Sequence, residues 1–188
     1  MDTLPLMATF TLVLFSELGD KTQLAIVALA SKSSALTVLI GAMSAFLLVD
    51  GLSLLVGGEL LSLLPYGLVG VGSGLLFVIV GVYSFIRGDR NTDVTNQRAT
   101  FLKTVSTISI MELGDKTQFA TIVLASEFKS PFMVLVGIMS AFLVVTVMGV
   151  LIGVKLLRLL PERHLRILSS ALYILFGIAL ILSGMMRL

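Results

Sequence analysis

"ELGDKTQ" at residues 17–23 returns letter for letter at 112–118. Each copy lies inside a long apolar run, and the reading of that run decides the fold. The chain is 188 residues long, 57% hydrophobic and 13% charged. Soluble domains carry about 25% charged residues, so a chain this poor in charge belongs in a bilayer. Apolar runs predict six spans, at about 4–30, 35–58, 66–86, 101–126, 131–157 and 165–186. Each reaches the roughly 20 helical residues that cross a hydrocarbon core. Pro5, Pro65, Pro131 and Pro161 stand near the proposed helix starts, where a missing N–H costs little. With no basic n-region before it, the first run reads as a retained helix rather than a signal peptide.

The two copies belong to a longer repeat. "ELGDKTQLAIVALAS" (17–31) matches "ELGDKTQFATIVLAS" (112–126), and "GAMSAFLLV" (41–49) matches "GIMSAFLVV" (137–145). Pro65 matches Pro161, Ser73 matches Ser169, and Gly81 matches Gly177. The polar stretch "RGDRNTDVTNQR" (87–98) separates the copies. The predicted organisation is a three-helix repeat over 1–86, a cytoplasmic linker over 87–100 and a second three-helix repeat over 101–188. Three is odd, so the second unit enters the membrane from the opposite side. The expected fold is an all-α membrane protein of six transmembrane helices, built as two inverted repeats with a site between them.

Basic residues orient the spans. Outside the motifs, Lys32, Arg87, Arg90, Arg98, Lys103, Lys155, Arg158, Arg163 and Arg166 fall on one side, and only Lys129 and Arg187 on the other. That distribution places the 87–103 loop in the cytoplasm and both termini outside.

Glu17 and Glu112 stand 11–12 residues into their spans, roughly 16–18 Å deep at 1.5 Å per residue, near the middle of the core. Read as continuous helix, Glu and Asp at i, i+3 share a face, and four carboxylates converge: Glu17, Asp20, Glu112 and Asp115. Intramembrane ionisable groups are functional by default. Lys21 and Lys116 follow the glutamates by four residues and are expected to pair with them. Gly19 and Gly114 permit a close backbone approach or a local loosening of the helix. Four acids and two lysines leave a net charge of −2, which one divalent cation or two protons would neutralise. Those are the two loaded states of a cation/proton exchanger.

Thr22, Gln23, Thr117, Gln118, Ser44 and Ser140 complete an all-oxygen donor set as supporting candidates. Hard oxygen ligands suit Mg²⁺, Ca²⁺ and Mn²⁺. The chain has no Cys and one His, so soft-metal sites, disulfides and thiol catalysis are excluded. The serines have a bland alternative, a hydrogen bond to the preceding turn. Asp50 is a further acid in an apolar run, and its repeat equivalent is Thr146. It reads either as a proton relay or as a partly hydrated residue of the outer half.

The paired motif resembles that of the membrane family with twin E-x-G-D-K/R-T/S motifs, also called calcium:cation antiporter-2 or uncharacterised protein family 0016. Its members include Golgi, chloroplast and bacterial Mn²⁺/Ca²⁺ transporters. The resemblance implies export of Mn²⁺ or Ca²⁺ from the cytosol in exchange for H⁺. It assigns the metal-site acids to Glu17, Asp20, Glu112 and Asp115, the basic position to Lys21 and Lys116, and the hydroxyl to Thr22 and Thr117. The partners expected are the metal ion as cargo, protons and the lipid bilayer, with no resident cofactor and no nucleic acid. The sequence is compatible with a homo-oligomer. A short central loop and no added targeting segment point to a prokaryotic inner membrane. A channel using the same acids as a selectivity ring is the alternative. Proteolysis is disfavoured, because Glu17 stands where a G-x-G-D protease motif needs its first Gly.

Overall fold

The computed structural model describes residues 3–31, 33–62, 65–87, 100–152 and 162–186. It is all-helical there, with eight helices. In chain order they are α1 (Leu4–Glu17), α2 (Lys21–Ala30), α3 (Ala35–Ser62), α4 (Tyr66–Arg87), α5 (Phe101–Glu112), α6 (Lys116–Phe128), α7 (Pro131–Ile152) and α8 (Glu162–Met185). Most of the proposed linker, and most of the basic residues used for orientation, lie outside the described residues.

Four segments among the described residues are long and apolar enough to cross a membrane: Ala35–Gly57, Gly67–Ile86, Pro131–Leu151 and Ile167–Met185. Their outward faces carry Leu55, Val56, Ile79, Ile86, Leu151 and Leu175, all more than 60% exposed. A belt of that kind suits lipid and not water.

The first and fourth predicted spans are not continuous helices. Each is a pair of half-helices, α1–α2 and α5–α6, interrupted inside the repeated motif. The cause is the motif's own glycine. Leu18 takes φ −64°, ψ 117° and Gly19 takes φ +79°; Leu113 takes φ −60°, ψ 118° and Gly114 takes φ +76°. Asp20 N–H donates to Glu17 O at 3.2 Å, and Asp115 N–H to Glu112 O at 3.0 Å. These are type II turns, which require φ > 0 at the third residue and therefore select Gly. "ELGD" spells the turn.

The two halves meet through reciprocal contacts. A Cβ on Gly41 would strike Thr104, and one on Gly137 would strike Leu6 O and Thr9 Cβ. Gly41 and Gly137 are repeat equivalents, as are Thr9 and Thr104. Thus α3 lies on α5 as α7 lies on α1. Phe46 and its equivalent Phe142 stack on each other, with centroids 3.6 Å apart and planes at 12°. Such self-pairing of equivalents marks an approximate two-fold relation between the halves. The α4–α8 pair follows the same rule: a Cβ on Gly74 would lie 2.5 Å from Gly177 O, and one on Gly81 would lie 2.9 Å from Ser170 O. Close approach at small residues is how helices associate where lipid competes with every apolar contact.

Candidate functional site

Breaking a helix inside a bilayer frees backbone groups that no water can satisfy. The motif meets this cost internally. Gly19 N–H donates to Gln23 Oε1 at 2.6 Å, and Gly114 N–H to Gln118 Oε1 at 2.7 Å. Asp20 and Asp115 stand at the N-caps of α2 and α6. Asp20 Oδ1 accepts from Lys21 N–H at 2.6 Å. Each motif thus sets a glutamate at the C-terminus of one half-helix and an aspartate at the N-terminus of the next. The C-terminal ends of α1 and α5 present the negative pole of the helix dipole, which favours a cation.

The side chains then cross between the motifs. Thr117 Oγ1 donates to Glu17 Oε1 at 2.5 Å, and Thr22 Oγ1 donates to Glu112 Oε1 at 2.6 Å. Lys21 Nζ lies 2.8 Å from Asp115 Oδ1, and Lys116 Nζ lies 2.6 Å from Asp20 Oδ2. Two expectations are corrected here. Glu and Asp of one motif do not share a helical face, because a turn stands between them. Lys21 pairs with the other motif's Asp115, not with its own Glu17. The i, i+4 rule assumed a helix that Gly19 interrupts.

Glu17, Glu112 and Asp115 each place a carboxylate oxygen within 4.8 Å of the other two. Glu17 and Glu112 are each 1% exposed. Glu112 Oε2 and Asp115 Oδ2 are buried and have no hydrogen-bond partner. Three converging carboxylates, two of them with an oxygen to spare, suit a hard divalent ion. Asp20 stands beside this group, held by Lys116, and is not one of the three. The structure therefore brings three of the four candidate acids into mutual reach, and the two aspartates, Asp115 within the group and Asp20 beside it, each hold a lysine of the other motif.

The remaining candidates have defined places. Ser44 and Ser140 donate to Ile40 O and Val136 O, at 2.8 and 2.7 Å, one turn back on their own helices. Gln23 and Gln118 use their oxygens on the turns. Asp50, on α3, is fully buried; its Oδ1 accepts from Thr121 Oγ1 at 3.1 Å, and its Oδ2 has no partner.

Four residues near the site escaped the sequence reading: Ser16, Ser53, Thr121 and Tyr173. Gln118 Nε2 donates to Ser53 Oγ at 2.7 Å, and Ser16 Oγ and Tyr173 Oη lie 3.0 Å apart. The signal lay in the repeat's differences. Their equivalents are Met111, Gly149, Ile26 and Phe77, all apolar. A cavity of about 260 Å³ is lined by Gly114, Asp115, Lys116 and Phe119 together with Tyr83 and Ser84. On the other motif, the Ser16–Tyr173 contact joins α1 to α8 next to Glu17.

A family model described as divalent cation/proton antiporter GDT1 matches residues 5–92 and 100–187. Protein PAM71-homolog, chloroplastic, of Arabidopsis thaliana is 26% identical over 207 residues, covering 92% of this chain and 57% of that protein. Protein PAM71, chloroplastic, of the same plant is 26% identical over 202 residues, covering 90% and 54%. GDT1-like protein sll0615 of Synechocystis is 35% identical over 74 residues, covering 39% and 35%. The chain spans little more than half the length of the two plant relatives. No solved structure matches.

Proposed function

Because the chain belongs to the GDT1 family of divalent cation/proton antiporters, we propose that it exports Mn²⁺ or Ca²⁺ from the cytosol in exchange for protons. The family is one of transporters, not enzymes. The single observation that carries this reading is the cluster of Glu17, Glu112 and Asp115, assembled from both motifs, with both glutamates fully buried. The metal binds there, between the C-terminal ends of α1 and α5. Thr22 and Thr117 orient the glutamates, and the Lys21–Asp115 and Lys116–Asp20 pairs hold the two motifs together.

Charge sets the exchange. Glu17, Asp20, Glu112 and Asp115 contribute −4 and the two lysines +2. A charge of −2 held in low dielectric is costly. Either one divalent ion or two protons removes it, so the empty carboxylates are the unfavourable state and the site passes between its two loaded ones. Donor chemistry favours Mn²⁺ or Ca²⁺ over softer metals, since every candidate ligand is oxygen.

The architecture proposed is six crossings in two inverted units, with spans one and four each formed by a half-helix pair. The self-pairing of Phe46 with Phe142 and the crossed contacts of Gly41 and Gly137 support it. Both termini face outward and the 87–103 loop faces the cytoplasm, on the distribution of Lys and Arg. The site is a prokaryotic cell membrane on this reading.

The test is flux into proteoliposomes holding a metal-sensitive dye. Mn²⁺ and Ca²⁺ uptake is followed with and without an imposed pH gradient, for the wild type, Glu17→Gln and Asp115→Asn. Gradient-dependent uptake lost in both variants is the expected result, and the faster ion names the cargo. Uptake indifferent to the gradient would instead identify a channel.

A further inference from the structure

Among the described residues, one buried acid lies outside both motifs. Asp50, in the middle of α3, is 0% exposed, and among the described residues no lysine or arginine forms an ion pair with it. Among the described residues, the hydrogen bond to its side chain comes from Thr121 of α6. The charged groups acting on it, Asp115 at the start of α6 and Glu112 at the end of α5, are both acidic. Nearby along the same interface, Gln118 of α6 donates to Ser53 of α3. The α3–α6 interface therefore carries a polar track that begins beside the acid cluster.

The repeat supplies a control. The equivalent interface is α7 with α2, where Thr146 replaces Asp50, Gly149 replaces Ser53, and Ile26 replaces Thr121. There a Cβ on Gly149 would meet Ile26, Val27 and Gln23. Gln23 Nε2 and Thr146 Oγ1 are buried with no hydrogen-bond partner. The track exists once, although the motifs it serves exist twice. In two inverted units the α3–α6 and α7–α2 interfaces face opposite sides of the membrane.

We propose that Asp50 is a proton relay that connects the acid cluster to one membrane face only, the face toward which α6 runs. The proposal rests on the exchange reading above. A hydronium ion on that side gives a proton to the Asp50 carboxylate, forming an O–H bond and leaving water. That O–H bond then breaks as the proton passes to a carboxylate the metal has left. No electrons move, and one positive charge enters per step. Thr121 suits both states, since a hydroxyl donates to a carboxylate or accepts from a carboxyl O–H. A proton needs no room of its own, which matches a carboxylate packed inside a helix interface.

The experiment separates metal movement from proton coupling. Proteoliposomes carrying the wild type, Asp50→Asn or Asp50→Thr are assayed in two ways. The first is exchange of radiolabelled Mn²⁺ for Mn²⁺ at equal pH on both sides. The second is net Mn²⁺ flux driven by a pH gradient, with a trapped pH dye reporting the protons. Both variants should keep metal-for-metal exchange within about twofold, and lose gradient-driven flux and proton movement by at least about tenfold, as for removal of a general acid–base group. Asp50→Thr installs the residue that the equivalent interface already holds. Gradient-driven flux equal to wild type in both variants would overturn the relay. So would parallel loss of both activities in both variants, which marks a structural role. Loss of metal exchange in Glu112→Gln, with Asp50→Asn unaffected in either assay, would sink the relay and leave the exchanger standing. Absence of any flux in the wild type would remove both.

Discussion

Thr117 of the second motif donates its hydroxyl hydrogen to Glu17 of the first, across 100 residues of chain. Thr22 does the same for Glu112. Each motif therefore completes the other, and neither copy is a finished site by itself. Thr117→Val keeps the shape and removes the donor. It is expected to lower stability by about 1–3 kcal/mol, the cost of an unpartnered buried acceptor, and to weaken Mn²⁺ binding. Thermal unfolding in detergent, with and without Mn²⁺, measures both. Unchanged melting and binding would mean that the hydroxyl does not orient Glu17.

The ion pairs make a sharper test. Lys21→Gln and Asp115→Asn should couple, with an interaction of about 0.5–3 kcal/mol in a double-mutant cycle. Lys21→Gln and Glu17→Gln should be closer to additive, since Lys21 pairs with Asp115. A cycle giving the larger coupling to Glu17 would restore the continuous helix that the turn replaces.

Gly114 isolates the turn from packing. A Cβ there meets nothing within 4 Å, yet its φ is +76°. Gly114→Ala should therefore cost about 1–2 kcal/mol through backbone conformation alone, while Gly114→Asn, a residue that tolerates left-handed backbone, should cost less. Equal losses for Ala and Asn would argue against a conformational origin.

The α4–α8 seam predicts a contrast between neighbouring glycines. A Cβ on Gly74 would sit 2.5 Å from a backbone oxygen, whereas one on Gly72 meets nothing. Gly74→Ala should destabilise by about 1–3 kcal/mol, and Gly72→Ala should stay within about 0.5 kcal/mol of wild type. Urea or thermal unfolding in matched micelles distinguishes them. Equal losses would place the seam elsewhere.

Protons and metal compete for the same oxygens, so Mn²⁺ affinity should fall as pH falls. Isothermal titration at a series of pH values checks the sign. Affinity that is flat or rises in acid would contradict competition at the carboxylates.

Much of this was legible in the sequence. Four of the six expected spans, the second, third, fifth and sixth, follow from apolar run length, and the pairing of the motifs from the repeated letters around Glu17 and Glu112. Gly19 and Gly114 signal at most a local loosening, because the flanking residues are apolar and the run continues as one span; the full break into two half-helices is visible only in the structure. The positive φ that Gly19 supplies carries no apolar signal; only its third place in a turn tetrad marks it. The Lys21–Asp115 pairing could not be read from spacing, because it joins two chain segments that meet only in the folded protein. Asp50 was visible as an isolated acid, but Thr121 and Ser53 became meaningful only once α3 and α6 were seen together. What repeats in this chain builds the acid cluster, and what fails to repeat sets the α3–α6 interface apart from the α7–α2 one.

The stacked rings of Phe46 and Phe142 have a mechanical consequence. A rearrangement that exchanges the roles of the two halves maps a pair of touching equivalents onto itself, so their separation is the same in both end states. The ring pair is then a fulcrum. A crosslink between the two rings would leave turnover intact, while one bridging Ser16 and Tyr173, which are not equivalents of each other, would lock the halves in one arrangement.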